Sequence, residues 1–120
     1  MQLPDGGFAA SLDADSEGAE GLFYIWTPEE IEYVLGDKTA TFSEAYGVTA
    51  EGNFENRNIL NRLHTVDAKN THDVEAGLAE ARIALLARRN TRPRPERDDK
   101  MLADWNAMTI TALALSIIHI

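Results

Sequence analysis

The chain has 120 residues, 44% of them apolar and 26% charged, which suffices for one globular domain with a modest core. The net charge of -9 argues against a nucleic-acid-binding protein, because phosphate binding needs clustered Lys and Arg. The absence of cysteine excludes disulfides, thiolate zinc sites and cysteine nucleophiles.

Neither end of the chain predicts export or membrane insertion. The first ten residues, "MQLPDGGFAA", lack the basic flank and apolar core of a signal peptide, so a cytoplasmic location is expected. The apolar stretch at 105–120 is too short and too often interrupted by polar residues for a bilayer span. No cofactor or metal is predicted, and His64, His72 and His119 do not have the spacing of metal ligands.

The first distinctive stretch is "DADSEGAEG", which sets carboxylates among glycines. Asp13, Asp15 and Glu17 followed by Gly18 copy the opening of a calcium loop, but Tyr24 stands where a bidentate Glu is required. Neighbouring carboxylates also raise one another's pKa, which suits general acid–base chemistry. A solvated acidic turn is the alternative that involves no chemistry, and the sequence leaves both open.

A short strand and a helix are predicted next. The aromatic and β-branched run at 21–26, "GLFYIW", favours a brief strand. Thr27 can cap the following helix, Pro28 suits its first position and Glu30 would complete a capping box. Gly36 is a natural stop for that helix.

Two further helices and two connectors follow. A helix over 39–46 ends at Gly47, and an asparagine-rich stretch after it is predicted to be ordered but irregular. Apolar residues at spacings of four and three predict a helix over 71–89, with Val74, Leu78, Ala81 and Leu85 on its buried face.

A run rich in arginine and proline comes after that helix and is predicted to be extended. It could bind phosphate, but a solvated connector is the simpler interpretation, because no aromatic stacking partner occurs in the sequence until Trp105. Its basic residues are Arg88, Arg89, Arg92, Arg94, Arg97 and Lys100.

The last segment predicts a helix over about 99–118 that is apolar almost all the way round. Such a helix needs neighbours on several sides, so we expect a section of a larger helical array or an oligomer formed through the apolar surface at 101–118. If the helix began at Asp98, Trp105 would share a face with that residue, and Asn106 would share one with Asp99. An indole face beside carboxylate and amide groups is a typical sugar-binding arrangement, while a capping Asp with a core Trp is the simpler alternative.

Three stretches in this order, "GGFAASLDADSEGAEGLFYIWTPEEI", "EGNFENRNIL" and "RPRPERDDKMLADWNAMTITALA", resemble the YyaL-like family, also known as the spermatogenesis-associated protein 20-like family. The resemblance implies a thioredoxin-like domain, absent here, followed by a six-hairpin (α/α)6 toroid. Residues 1–120 would be an internal section of that toroid, so the implied fold is mainly α. Where the family has glycine, this chain has Asn56 and Ala107.

The toroid is similar to those of N-acylglucosamine 2-epimerases and glycosidases. The resemblance therefore implies that the complete protein binds or converts a carbohydrate. The section alone would be inactive. Residues implied as catalytic or hydroxyl-binding acids are Asp13, Asp15, Glu17 and Asp99. Residues implied to bind substrate are Asn53, Phe54, Asn58, Lys100, Trp105 and Asn106. The alternative is a noncatalytic scaffold or interaction module for redox-linked protein handling. Whether the protein is an enzyme stays open at this point.

Overall fold

The computed structural model describes residues 1–63 and 72–117. In this part of the chain the protein is mainly α-helical with a small amount of β-structure, as predicted. The chain divides into two compact units. We call residues 21–94 the middle unit and residues 1–20, together with the described residues from 95 onward, the terminal unit.

The middle unit contains three of the predicted helices: α1 (Pro28–Leu35), α2 (Thr39–Tyr46) and α3 (His72–Arg89), with a 3₁₀ turn at Gly36–Lys38. The Thr27 hydroxyl caps α1 by accepting a hydrogen bond from the Glu30 amide at 3.2 Å. Gly36 and Gly47 end α1 and α2 with φ angles of 52° and 64°, which glycine adopts without a Cβ clash. Thr71, the predicted start of α3, lies outside the described residues.

The core of the middle unit forms where these helices pack together. The predicted apolar face of α3 is confirmed, because Leu78, Ala81 and Leu85 are buried and Val74 is partly buried against them. The other buried members of the cluster are Trp26, Ile31, Leu35, Phe42 and Ala45. Trp26 and Ile31 thus lie on either side of the Thr27 cap in the same core, as expected for a hydrophobic staple.

Arg92 joins the end of the middle unit to its beginning. Its guanidinium donates hydrogen bonds to the carbonyl oxygens of Leu22, Phe23 and Ile25 at 3.2, 2.9 and 2.8 Å. It also donates to the Glu30 carboxylate at 2.6 Å and lies 4.1 Å from the centre of the Trp26 ring. The prediction of a solvated connector is therefore wrong at this position, where only 13% of the side chain is exposed.

The strand predicted at 21–26 is also wrong. Gly21 has a φ of 69° and its carbonyl accepts hydrogen bonds from the amides of Tyr24 and Ile25, so the backbone turns. Only Trp26 pairs as a strand residue would, through a single antiparallel bridge to Asn58. Phe23, Ile25 and Trp26 of this run are buried, while carbonyl groups of the turn accept hydrogen bonds from the Arg92 guanidinium.

The terminal unit consists of two small antiparallel pairs and one helix. Strand β1 (Ser11–Leu12) pairs with β4 (Arg97–Asp98), and β2 (Asp15–Ser16) pairs with β3 (Ala19–Glu20). Helix α4 (Ala103–Ile117) follows β4.

Helix α4 begins later than the sequence predicts. Asp98 belongs to β4 and Asp99 precedes the helix, so the expected sharing of helical faces with Trp105 and Asn106 is wrong. The pairing of β4 with β1 holds the backbone of Asp98 in an extended conformation. A residue in that conformation cannot belong to a helix. Ile118 and the residues after it lie outside the described residues.

In the part of the chain that the structure describes, none of the helices combines the length and the apolar composition needed to cross a membrane. His72 lies at the first position of α3. His64 and His119 fall outside the described ranges.

Replacing Arg92 by Met is expected to lower the free energy of unfolding by about 2–4 kcal/mol, because several backbone carbonyls and the Glu30 carboxylate lose a buried donor. Met keeps an unbranched apolar side chain over Trp26, so the decrease in the free energy of unfolding measures the lost hydrogen bonds and the lost charge. Urea unfolding followed by circular dichroism measures the change. Arg94→Met is the matched control, since Arg94 is exposed, donates a hydrogen bond to Asn90 and lies at the longer distance of 5.9 Å from the centre of an aromatic ring, that of Phe23. Equal stability of the two variants would contradict the role of Arg92.

Candidate functional site

The acidic stretch is a β-hairpin. Asp15 and Ser16 pair with Glu20 and Ala19, so the loop between the strands has two residues, Glu17 and Gly18. Their φ angles of 54° and 77° are both positive, as a type I′ turn requires. The carboxylate of Asp13 accepts a hydrogen bond from the Asp15 amide at 3.1 Å. The hairpin geometry, and not a calcium loop, explains the glycine in this motif.

Asp13 lies at one wall of a groove in the terminal unit. The groove has a volume of about 600 Å³ and is lined by residues 11–14 and 96–100. The pairing of β1 with β4 and a hydrogen bond of 2.7 Å from the Asp13 amide to the Glu96 carbonyl hold its two walls together. Of the residues implied by the family resemblance, Asp13, Asp99 and Lys100 meet here.

Ion pairs set the charge of the groove. The guanidinium of Arg97 bonds both carboxylate oxygens of Asp99, and Lys100 bonds the Asp98 carboxylate at 3.0 Å. The hydrogen bond from Arg97 holds the pKa of Asp99 below its ordinary value, which outweighs the raising effects of desolvation and of the neighbouring Asp98 charge. The hydrogen bonds from Lys100 likewise lower the pKa of Asp98. Both carboxylates are therefore ionised acceptors at neutral pH.

The other predicted residues of the terminal unit do not line the groove. Asp15 and Glu17 are exposed on the hairpin, and Trp105 is half exposed on α4. Asn106 is bound by the backbone of its own unit: its amide accepts from the Phe8 amide at 2.9 Å and donates to the Phe8 carbonyl at 3.1 Å. Among the described residues, no three His, Asp or Glu side chains are grouped so that they could hold a metal ion.

The predicted polar residues of the middle unit bind backbone in the same two-way manner. Asn53 accepts from the Ile59 amide at 2.7 Å and donates to the Ile59 carbonyl at 3.0 Å. Asn58, which is fully buried, makes the same two bonds with Thr49, both at 3.0 Å. These amides stabilise the loop between α2 and α3, and their proposed role in binding substrate stays a prediction.

The middle motif is built around a second type I′ turn. Phe54, half buried, bridges to Arg57 across Glu55 and Asn56, whose φ angles are 46° and 60°. Asn56 tolerates this left-handed backbone better than most residues, which suits it to a position where the related sequences have glycine. Gly52 is required here for another reason, because a Cβ at this position would lie 2.5 Å from the backbone of Arg57.

Sequence reasoning missed the part played by Arg97 and Glu96 in the groove. Both line it, and Arg97 sets the ionisation of Asp99. The sequence carries one signal for this, since side chains two residues apart on an extended strand lie on the same side. The pairing of β4 with β1, by contrast, has no local signal.

Replacing Arg97 by Gln is expected to raise the pKa of Asp99 toward its ordinary value, because the neutral amide no longer stabilises the carboxylate. Carbon-detected NMR titration of the side-chain carboxyl groups measures it. Lys100→Gln is the matched control and should raise the pKa of Asp98 while leaving that of Asp99 nearly unchanged. An Asp99 titration curve that is identical in wild type and Arg97→Gln would rule out this pairing.

No protein-family model matches the chain. The chain is 32% identical over 139 aligned positions to an uncharacterised protein of Caenorhabditis elegans, with 91% of this chain and 19% of that protein covered. It is 27% identical to spermatogenesis-associated protein 20 of Mus musculus, covering 92% of this chain and 18% of that protein. For the protein of that name from Homo sapiens the identity is 28%, over 81% of this chain and 16% of the relative.

The chain thus spans less than a fifth of the length of the curated relatives described here. The aligned region nevertheless extends over most of this chain, including in two mammalian proteins that share one name. These similarities support the relationship to the spermatogenesis-associated protein 20-like family that the three sequence motifs indicate.

Proposed function

We propose that this chain is a section of a larger helical toroid and that the groove of its terminal unit binds a carbohydrate or related polyol. In the complete protein the toroid would follow a thioredoxin-like domain, as the family resemblance implies. The observation that carries the proposal is the meeting of Asp13, Asp99 and Lys100 along one groove. Asp99 and Lys100 come from one motif and lie more than 80 positions after Asp13, which belongs to another.

The chemistry of the groove suits hydroxyl groups. Ionised Asp98 and Asp99 accept hydrogen bonds from hydroxyls, while Arg97 and Lys100 donate them. A volume of about 600 Å³ falls in the range of small-molecule sites, so one or two sugar rings fit. Asp98 and Asp99 each have a basic partner, so this side of the groove offers paired donors and acceptors.

The ionisation state also favours binding over acid catalysis at this position. A general acid must hold a proton near neutral pH, which requires a raised pKa. The pKa of Asp99 is lowered by Arg97, so Asp99 serves as a hydrogen-bond acceptor or as a general base. A complete glycosidase or epimerase site would need a proton donor in addition to Asp99.

Saturation-transfer NMR with glucose and N-acetylglucosamine tests the proposal. Binding is expected for wild type and should weaken at least about tenfold in Asp99→Asn, because an ionised acceptor is lost. Asp13→Asn should act in the same direction. Glu20→Gln is the control, since Glu20 is an exposed acid of the same unit that does not line the groove. Equal binding by all variants, or no transfer to either sugar, would refute the proposal.

A noncatalytic interaction module is the second candidate, and the exposed surface of α4 favours it. Exposure of large apolar side chains to water costs free energy, and contiguous exposed apolar patches mark interaction surfaces. The exposed apolar residues of α4 are Trp105, Met108, Ile110, Leu113 and Leu115. In this interpretation the toroid section holds a client or a second copy for redox-linked protein handling by the complete protein.

The interaction module predicts that Leu113→Lys in the full-length protein abolishes co-purification of a partner or self-association, because a buried charge is placed in the contact. Affinity capture and sedimentation velocity measure the two outcomes. Thr111→Lys adds the same charge to the same helix at a residue with no large apolar surface and serves as the control. If both variants keep every contact of the wild type, α4 is not the interaction surface.

A further inference from the structure

The middle unit contains a cavity that shares no lining residue with the groove. None of the residues that line it is among those implied by the family resemblance. Its volume is about 260 Å³. Trp26, Phe42 and Leu85, all buried, form its apolar lining together with the more exposed Leu86. Arg82 and Arg89 supply the polar part of the lining.

In the part of the chain that the structure describes, Arg89 lacks the carboxylate partner that Arg82, Arg88 and Arg92 have. Arg82 pairs with Glu75 at 2.8 Å, and Arg88 and Arg92 both pair with Glu30. Within the described residues no carboxylate pairs with Arg89, and its buried Nε–H has no hydrogen-bond partner there. A guanidinium that no carboxylate neutralises favours an anion in the cavity that it lines.

Aromatic rings hold the Arg89 side chain in place. Its guanidinium carbon lies 5.4 Å from the centre of the Phe23 ring and 5.6 Å from that of Tyr24. Such cation–π contacts restrict the guanidinium without occupying its N–H groups. No aromatic residue follows the basic run in the sequence until Trp105, yet the folded chain supplies these rings from the "GLFYIW" stretch.

We propose that this cavity binds a small apolar carboxylate, with the ring or branched chain of the ligand among Trp26, Phe42 and Leu85 and its carboxylate on Arg89. An apolar lining with one unpaired cation selects a ligand that is mostly apolar and carries a single negative charge. A cavity of about 150 Å³ suffices for benzene, so the volume here accommodates a benzoate-sized molecule. The proposal does not depend on carbohydrate binding by the groove of the terminal unit.

Titration of the 120-residue chain with benzoate, followed by ¹H–¹⁵N NMR, tests this site. Trp26 and Trp105 are the two tryptophans, so the variant Trp105→Phe assigns the indole N–H signal of Trp26. Benzoate is expected to shift that signal with a dissociation constant of about 1 mM, a value ordinary for a ligand of this size. Benzyl alcohol, which has the same ring and no charge, should bind at least about fivefold more weakly.

Arg89→Gln should remove the preference for benzoate, while Arg88→Gln, at the adjacent residue that already pairs with Glu30, should keep it. If Arg89→Gln does not fold, Arg89→Lys, which retains the charge, should still favour benzoate over benzyl alcohol. Two results would overturn the proposal whatever the variants do: no shift of the Trp26 signal at about 20 mM benzoate, or equal affinity of the wild-type chain for the two probes.

Discussion

The middle unit depends on one cation, the guanidinium of Arg92. It bonds the carbonyls of a turn 67 to 70 residues earlier in the sequence, stacks on Trp26 and pairs with Glu30 of α1. A turn at this position leaves carbonyl groups without backbone partners, and a buried carbonyl without a donor is costly. Arg92 supplies that donor, so the turn, the start of α1 and the end of α3 are held by a single side chain.

Side-chain amides stabilise the loops by bonding backbone groups, as Arg92 stabilises the turn. Asn53, Asn58 and Asn106 each bond both the amide and the carbonyl of one residue, which reproduces the pairing of a β-bridge with a side chain. The two type I′ turns add positive φ angles at Glu17–Gly18 and Glu55–Asn56. Several residues of the motifs that resemble ligand sites therefore stabilise the fold, so fewer residues of these motifs are available to bind a ligand.

The residues that remain for binding lie in different places and differ in character. The groove of the terminal unit presents paired acids and bases that suit hydroxyl groups, with Asp99 kept ionised by Arg97. The cavity of the middle unit is apolar and has Arg89 as its unpaired cation among the described residues. The two proposed sites thus differ in the ligand chemistry that they require, and a test of one leaves the other standing.

Local sequence determined the helices of the middle unit and their ends. Thr27, Gly36 and Gly47 act within a few residues of themselves, and the spacing of Leu78, Ala81 and Leu85 marks a face of α3 whatever lies against it. The tolerance of Asn56 for a left-handed backbone is equally a property of one residue.

Tertiary structure alone decided which distant groups meet. The pairing of β1 with β4 delayed the start of α4 and created the groove, although nothing near Asp98 in the sequence indicates a strand. The turn at 21–24 replaced the predicted strand because Arg92 could satisfy its carbonyls. Sequence patterns report short-range sterics and hydrogen bonding, whereas burial and charge pairing depend on partners that only folding brings together.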